Sequence, residues 1–327
     1  MTLRSGRPII GAILAPTGSR FEGPGTIDES AAHEARSTAV AIIGAGRVGT
    51  ALGVLLGRAG HRVVAATGGE PSRTRVLRYL PFTLFVEPAD AARASRLAQV
   101  IIIGVPDDRV APVCERVAAD GGFRPGQHVV HLSGALSLDV LRPAEAAGAE
   151  VLCLHPLQVF PTVGDGIRHL PGSAVAVTAR SSAALALGQS LARDVGGVPF
   201  EVGDEVKPLY HAGAVFCSNY LVVVVRMAEW LFELAGIDQP LAKLEALARA
   251  ALRSSFALGP EVALTGPASR GDVGSVTSNL DALDKRAPEA VRPYAALAAA
   301  AAALAVQSGR LPVEARRRLD EELARWR

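Results

Sequence analysis

The stretch that most restricts this chain is Ala39-Val40-Ala41-Ile42-Ile43-Gly44-Ala45-Gly46-Arg47-Val48-Gly49. Five apolar residues, three of them β-branched, suit a strand buried on both faces. The chain then turns through glycines and continues into the helical run Ala51-Leu52-Gly53-Val54-Leu55-Leu56. In a strand–turn–helix context, G-x-G-x-x-G binds a dinucleotide. Gly44 permits the tight turn, Gly46 lets backbone approach a pyrophosphate, and Gly49 lets helix lie close on strand. The unpaired N–H groups of the first helical turn, those of Arg47 and Val48 among them, then face the phosphates together with Ala45.

Alternation of short apolar strands with helices continues to about residue 203, which predicts an α/β fold of Rossmann type with a mainly parallel, doubly wound sheet. Strands are expected at Gly60–Thr67, from Val100 to a Pro turn at Pro106, and at Gly126–His131, Val151–Pro156, Ser173–Val177 and Val198–Val202. From Asp204 the apolar residues recur at helical spacing, through 210–234, 241–258, 273–283, 289–306 and 313–326. The predicted organisation is a tail over 1–37 that is rich in Gly, Ser, Glu and Pro and reads as disordered, a dinucleotide-binding domain over 38–203, and an all-helical domain over 204–327.

The end of the second strand selects the cofactor. An acidic residue there accepts bonds from both ribose hydroxyls of NAD, and would repel a 2′-phosphate. Thr67 holds that place, followed by Gly68, Gly69, Glu70, Ser72, Arg73 and Arg75. A neutral strand end with Arg73 nearby favours NADP, while Glu70 keeps NAD as the alternative. Val105 and Pro106 close the next expected strand at the carboxyl edge, where the cofactor should lie.

Bulk properties narrow the partners. Of 327 residues, 49% are hydrophobic, so a large core is available. Thirty-four basic against 32 acidic residues leave a net charge of +2, which gives no reason to expect nucleic acid. Cys114, Cys153 and Cys217 have no C-x-x-C spacing, so a reduced, cytoplasmic protein without a metal site is expected. The longest apolar run, Ala212–Val225, is too short to span a bilayer, and no membrane association is expected.

Candidate chemistry falls on a few polar residues. At about 100° per residue, Lys207, His211 and Ser218 share one stripe of a very apolar helix, with Asn219 further round. Buried polar groups need partners, and a substrate would supply them for His211 and Asn219; a core histidine and a serine bonded back to its own helix are the structural alternative. His155, just past a buried strand, suits a proton donor or a loop cap. His131 reads as buried. Arg270, in Leu264-Thr265-Gly266-Pro267-Ala268-Ser269-Arg270-Gly271-Asp272, suits a carboxylate, and Asp272 should cap the helix that follows.

In order along the chain, the Gly44–Gly53 turn, Gly104-Val105-Pro106-Asp107-Asp108, His131-Leu132-Ser133-Gly134, His155-Pro156-Leu157-Gln158, Tyr210-His211-Ala212 with Ser218-Asn219-Tyr220, and Leu264 to Asp272 form a specific combination. Over about residues 38–306 it resembles the Rossmann-like proteins whose C-terminal half is a domain of unknown function. These are similar to reductases with a helical C-terminal domain of the 6-phosphogluconate dehydrogenase type: pyrroline-5-carboxylate reductase, ketopantoate reductase, prephenate dehydrogenase and deazaflavin-dependent NADP reductases. The resemblance implies a Rossmann fold, NAD(P), and a helical domain that often makes homodimers. His155-Pro156 resembles the His-Pro segment of prephenate dehydrogenases, whose histidine touches the substrate. Where ketopantoate reductases pair a lysine with an asparagine, His211 and Asn219 stand instead. The expected activity is hydride transfer from NADPH to a small keto acid or imine, with ketopantoate the first named substrate. His211 or His155 would be the acid, Asn219 would orient the carbonyl and Arg270 would hold a carboxylate. A dinucleotide-binding sensor or scaffold without turnover is the competing class.

Overall fold

A computed structural model describes residues 37–326, so the expected tail over 1–37 lies almost wholly outside the described residues. These divide into two compact units after Lys207.

The first unit is an eight-stranded sheet in the order β3-β2-β1-β4-β5-β6-β7-β8. Its strands are β1 Ala39–Ile43, β2 Arg62–Thr67, β3 Leu84–Val86, β4 Val100–Ile103, β5 His128–His131, β6 Glu150–Pro156, β7 Ala174–Ala179 and β8 Val198–Glu201. All neighbours pair parallel except β6 and β7. β1 and β4 are buried throughout, as an apolar run flanked by helices on both faces requires. One face packs Ile101, Ile103, Val129 and Val151 against Cys114, Leu141 and Ala144, and the other packs Val40, Ile102, Val130 and Leu152 against Leu52, Leu56 and Leu191. Strand order reverses between β1 and β4, so the crevice outside their carboxyl ends is the place for a ligand.

The helices of this unit are α1 Arg47–Arg58, α2 Glu70–Tyr79, α3 Ala91–Arg96, α4 Asp107–Ala119, α5 Arg142–Ala146, α6 Val163–His169 and α7 Ser182–Asp194. β3 was not among the expected strands; Leu84-Phe85-Val86 is too short for alternation to show. Near the end of the unit, Asp204 accepts hydrogen bonds from Ser137 Oγ (2.7 Å) and the Leu138 amide (3.0 Å), which ties the approach to the next helix onto the segment after β5.

The second unit is helical, with no strand among its described residues. After α8 (Lys207–Val215), which begins at the division, come α9 Leu221–Leu234, α10 Pro240–Leu258, α11 Pro260–Ala263, α12 Pro267–Arg270, α13 Val273–Arg286, α14 Val291–Gln307 and α15 Val313–Leu323. Its core is built by α12 to α15 with one side of α9, around Val276, Leu280, Ala302, Leu319, Met227 and Trp230. Asp272 caps α13, accepting from the Ser275 amide at 3.0 Å, as the sequence suggests.

Two readings of this half change. Phe216–Tyr220 is a π turn, which widens the helix by one residue per turn. Angles counted at 100° per residue therefore fail beyond Val215, and the stripe joining His211 to Ser218 does not hold. Nor does the length argument against a bilayer: Asp204–Leu234 forms 31 residues of helix with a best window of mean hydropathy 1.4 and none of that window buried. Pro288–Gln307 also passes on length and composition, with 33% of its window buried. Ser218 and Asn219 interrupt the apolar run but not the helix.

Removing the Asp204 carboxylate leaves the Leu138 amide without its acceptor. Asp204→Ala should destabilise the first unit by about 1–2 kcal/mol, read as a lower urea midpoint. An unchanged midpoint would show that this cap contributes nothing.

Candidate functional site

The glycine turn is fixed from both sides. Gly44 has φ +86°, and its amide donates to the Thr67 carbonyl (3.1 Å) and to Thr67 Oγ1 (3.2 Å); the Ala45 amide donates to the same carbonyl at 2.7 Å. A Cβ on Gly44 would lie 2.3 Å from Val105 Cγ1 and 3.1 Å from the Val105 amide nitrogen. A Cβ on Gly49 would lie 3.1 Å from Ile42 Cγ2, so α1 sits close on β1 there.

Gly46 is different. It is the N-cap of α1 at φ −72°, and a Cβ there would meet only the Gly104 carbonyl at an ordinary 3.6 Å. Neither backbone nor packing demands glycine at that position. What a Cβ would obstruct is the space in front of an uncapped helix start with no acidic residue in its first turn. Free amides and an open approach at a helix N-terminus suit a phosphate.

A pocket of about 820 Å³ opens beside this turn. Gly44, Gly46, Thr67, Val105 and Pro106 line it, with Gly68, Gly69 and Ser72 at the start of α2. Arg75, Arg109 and Arg116 also line it, and no carboxylate does. Such a wall fits a polyanion. Arg75 Nε donates to the Ala45 carbonyl (3.2 Å) and its Nη2 to Ser72 Oγ (3.0 Å), which holds the guanidinium against the turn.

The other expected cofactor residues spread out. Ala45 is buried under the turn, and Val48 packs toward the sheet. Arg47 is exposed and donates to the Pro161 carbonyl at 3.0 Å. Arg73 lies outside the pocket lining, bonded to Glu87 at 3.2 Å and stacked over Phe85 at 5.1 Å; Arg75, two residues on, is the guanidinium that lines it. Glu70, the residue that kept NAD open, pairs weakly with Arg73 (3.9 Å) and also lies outside the lining.

A second cluster sits at the carboxyl ends of β5 and β6. His131 and Cys153 are register partners, and His155 follows two residues on, on the same face. His131 is fully buried; its Nδ1 accepts from the Ser133 amide at 3.2 Å, which places its proton on Nε2. Burial, then the charge of Lys207 and then His155, push its pKa down to about 3. Burial raises the Cys153 thiol, so it stays protonated. Ser133 Oγ donates to Asp107 at 2.7 Å, and Asp107 opens α4 directly after Val105 and Pro106. Lys207, 1% exposed, donates from Nζ to the Ser133 carbonyl at 3.1 Å. The sequence offered Lys207 only as part of a helical stripe. Its full burial, on the first residue of α8, depends on a long-range approach to Ser133 that periodicity cannot show.

In the second unit, His211 is half-buried in α8 and Asn219 is exposed in the π turn. Ser218 Oγ lies 2.7 Å from the Ala214 carbonyl and 2.9 Å from Asn219 Oδ1, so the back-bonding alternative describes it. Arg270 is exposed on the last residue of α12, before Gly271 at φ +70°.

These assignments carry two tests. Gly44→Ala should cost about 1–3 kcal/mol through strain and overlap with Val105, whereas Gly46→Ala should keep the wild-type melting temperature and lose NADPH binding in a fluorescence titration. Equal melting losses in both would remove the distinction. As pH falls below 6.5, the unfolded chain protonates His131 while the folded one holds it neutral down to about 3. Folding stability supplied by neutral His131 should therefore decline across that window, and His131→Asn should flatten the acid limb of the stability profile.

Comparison with known proteins divides the chain earlier than the two compact units do, ahead of β7. A Rossmann-like domain profile matches residues 23–156, and a profile of a domain of unknown function (DUF2520) matches residues 173–301. No protein of curated function matches the sequence. Among solved structures, the chain is similar to BF3122 of Bacteroides fragilis, a provisionally assigned NADP oxidoreductase, at 22% identity, covering 81% of this chain and 98% of that one with a TM-score of 0.70. Protein TM1727 of Thermotoga maritima matches at 19% identity, 83% and 100% coverage and a TM-score of 0.64. The pyrroline carboxylate reductase of Plasmodium falciparum, solved with NADP bound, matches at 13% identity, 83% and 97% coverage and a TM-score of 0.54. Likeness at these identities is likeness of fold. The chain is a Rossmann-like domain followed by a DUF2520 domain.

Proposed function

We propose that this protein is an NADP-dependent oxidoreductase that moves a hydride between NADPH and a small carbonyl or imine substrate. The observation that carries the reading is Gly46: a glycine that the protein's own packing does not require, at an uncapped helix start beside a pocket with three arginines and no carboxylate. The pyrophosphate would rest on the amides that follow Gly46, and a 2′-phosphate would meet Ser72 and Arg75 at the start of α2. When bound, NADPH supplies the hydride. The chain's residues hold the cofactor and deliver a proton. His155, half-buried near the carboxyl end of β6, is the first unit's candidate donor. His211 and Asn219 remain the second unit's candidates for donor and orienting group. The similarity to a pyrroline carboxylate reductase with NADP bound supports a substrate with a C=N or C=O group beside a carboxylate; ketopantoate is one such acid.

The protein is further proposed to act as a homodimer. Helices α9, α10 and α11 contain no buried residue, yet present Val222, Val223, Leu247, Phe256, Leu258 and Val262 at 54–78% exposure. Large apolar side chains left this exposed on neighbouring helices are the mark of an interface. A second copy fits it better than lipid, because Arg226, Lys243, Arg249 and Arg253 interrupt these helices.

Arg75→Ala should weaken NADPH binding by roughly ten-fold or more while leaving NADH within about two-fold, since one charge-assisted phosphate contact is worth about 1.5–3 kcal/mol. Equal losses for both cofactors would place the 2′-phosphate elsewhere. His211→Ala should lower turnover with NADPH affinity unchanged; an unaltered rate removes His211 from the chemistry. In detergent-free buffer the wild type should sediment as a dimer and Val223→Asp as a monomer. Recovery of the wild type only with membranes would contradict this.

A further inference from the structure

The cluster around Lys207 holds more buried donors than acceptors. The Lys207 ammonium carries three N–H groups. One reaches the Ser133 carbonyl at 3.1 Å and the Cys153 thiol lies beside it, but that thiol also donates to the same carbonyl at 3.1 Å. No ion pair involves Lys207 among the described residues, although its side chain is buried. His131 bonds to the same residue, Ser133, as Lys207 does, and its buried Nε2 has no hydrogen-bond partner. Because Nδ1 accepts from the Ser133 amide, that orphan is an N–H donor as well.

Two buried donors on neighbouring side chains, one of them a cation without a carboxylate, are costly until an acceptor arrives. Asp204 is already engaged by Ser137 and Leu138, and Asp107 by Ser133. Neither acid closes an ion pair with Lys207. A neutral acceptor would satisfy the hydrogen bonds and leave the charge uncompensated. A carboxylate answers both, since its two oxygens can accept from Nζ and Nε2 together.

We infer that Lys207 Nζ and His131 Nε2 form the binding site for the carboxylate of a small carboxylic acid substrate. This rests on the reading of the protein as an NADP-dependent reductase, and it deepens that reading by naming the substrate class. The position agrees: the Ser133–Asp107 bond joins the cluster to the start of α4, and the residues just before α4, Val105 and Pro106, line the cofactor pocket. The carboxylate is thereby assigned to Lys207 and His131 rather than to Arg270. Lys207 here is a binding residue; no proton transfer is ascribed to it.

The test titrates the NADPH-loaded protein with oxamate, a non-reducible carboxylate, by calorimetry. One oxamate should bind per chain. Lys207→Met should bind NADPH as the wild type does, lose oxamate affinity by roughly ten-fold or more, and melt no lower than wild type, because an uncompensated buried charge has been removed. Arg270→Ala should bind oxamate normally. Should Lys207→Met fail to fold, the wild type still decides: the Nε2 proton resonance of His131 should move downfield on adding oxamate. Failure of NADPH to bind overturns the cofactor reading. NADPH binding without oxamate binding, an unmoved His131 resonance, or oxamate loss in Arg270→Ala with retention in Lys207→Met overturns the carboxylate site alone.

Discussion

The two amides of Gly44 and Ala45 that converge on the Thr67 carbonyl hold the architecture of the candidate site. They lock the turn after β1 to the end of β2, and so fix the direction in which α1 starts. A side chain on Gly44 would strike Val105, so the turn after β4 is brought against the same point. Three strand ends are thus gathered at the place where sheet order reverses, and the uncapped start of α1 at Gly46 is left beside the pocket. Thr67 has a double position in this arrangement. Its hydroxyl already accepts from Gly44, so its contribution at the pocket wall is as much to hold the turn as to meet a ribose.

Polar groups in the first unit divide by whether the protein satisfies them. Gln127, buried, donates to the carbonyls of Ser95 and Ala98 and accepts from the Arg124 amide, which closes a loop and leaves nothing over. Lys207 and His131 are as deeply buried and do leave donors over. The contrast separates structural polarity from polarity that waits for a ligand. In the helical unit the corresponding division is among apolar groups. α13 to α15 and one side of α9 bury theirs against one another, whereas α10, α11 and the rest of α9 leave theirs open, a distribution that suits the proposed dimer.

Much of this was legible in the sequence because it is local. The β-branched run before Gly44, the glycine spacing and the shift to helical periodicity after Asp204 each express a short-range constraint, and the doubly wound sheet with a helical second half follows from them. Asp272 as a cap is legible for the same reason. Non-local features were not. The three residues of β3 acquire strand geometry by pairing with Ala65–Thr67, and the antiparallel β6–β7 pair comes from the path of the chain, not its composition. The π turn breaks the angular count that linked His211 to Ser218. Arg73 and Arg75 look equivalent in sequence, but Glu87 and Phe85 draw Arg73 aside while Arg75 turns to the Ala45 carbonyl. Lys207 resembles a solvated helix start until the fold encloses it.

Amide hydrogen exchange with and without NADPH tests the central claim most directly, because it reports on the backbone groups that are held to bind the phosphates. Saturating NADPH should slow exchange at the amides of 46–49 and at the start of α2, with the loop at 264–272 as an internal control of comparable exposure. Protection absent from the glycine turn, with the protein folded and NADPH in excess, would contradict the account.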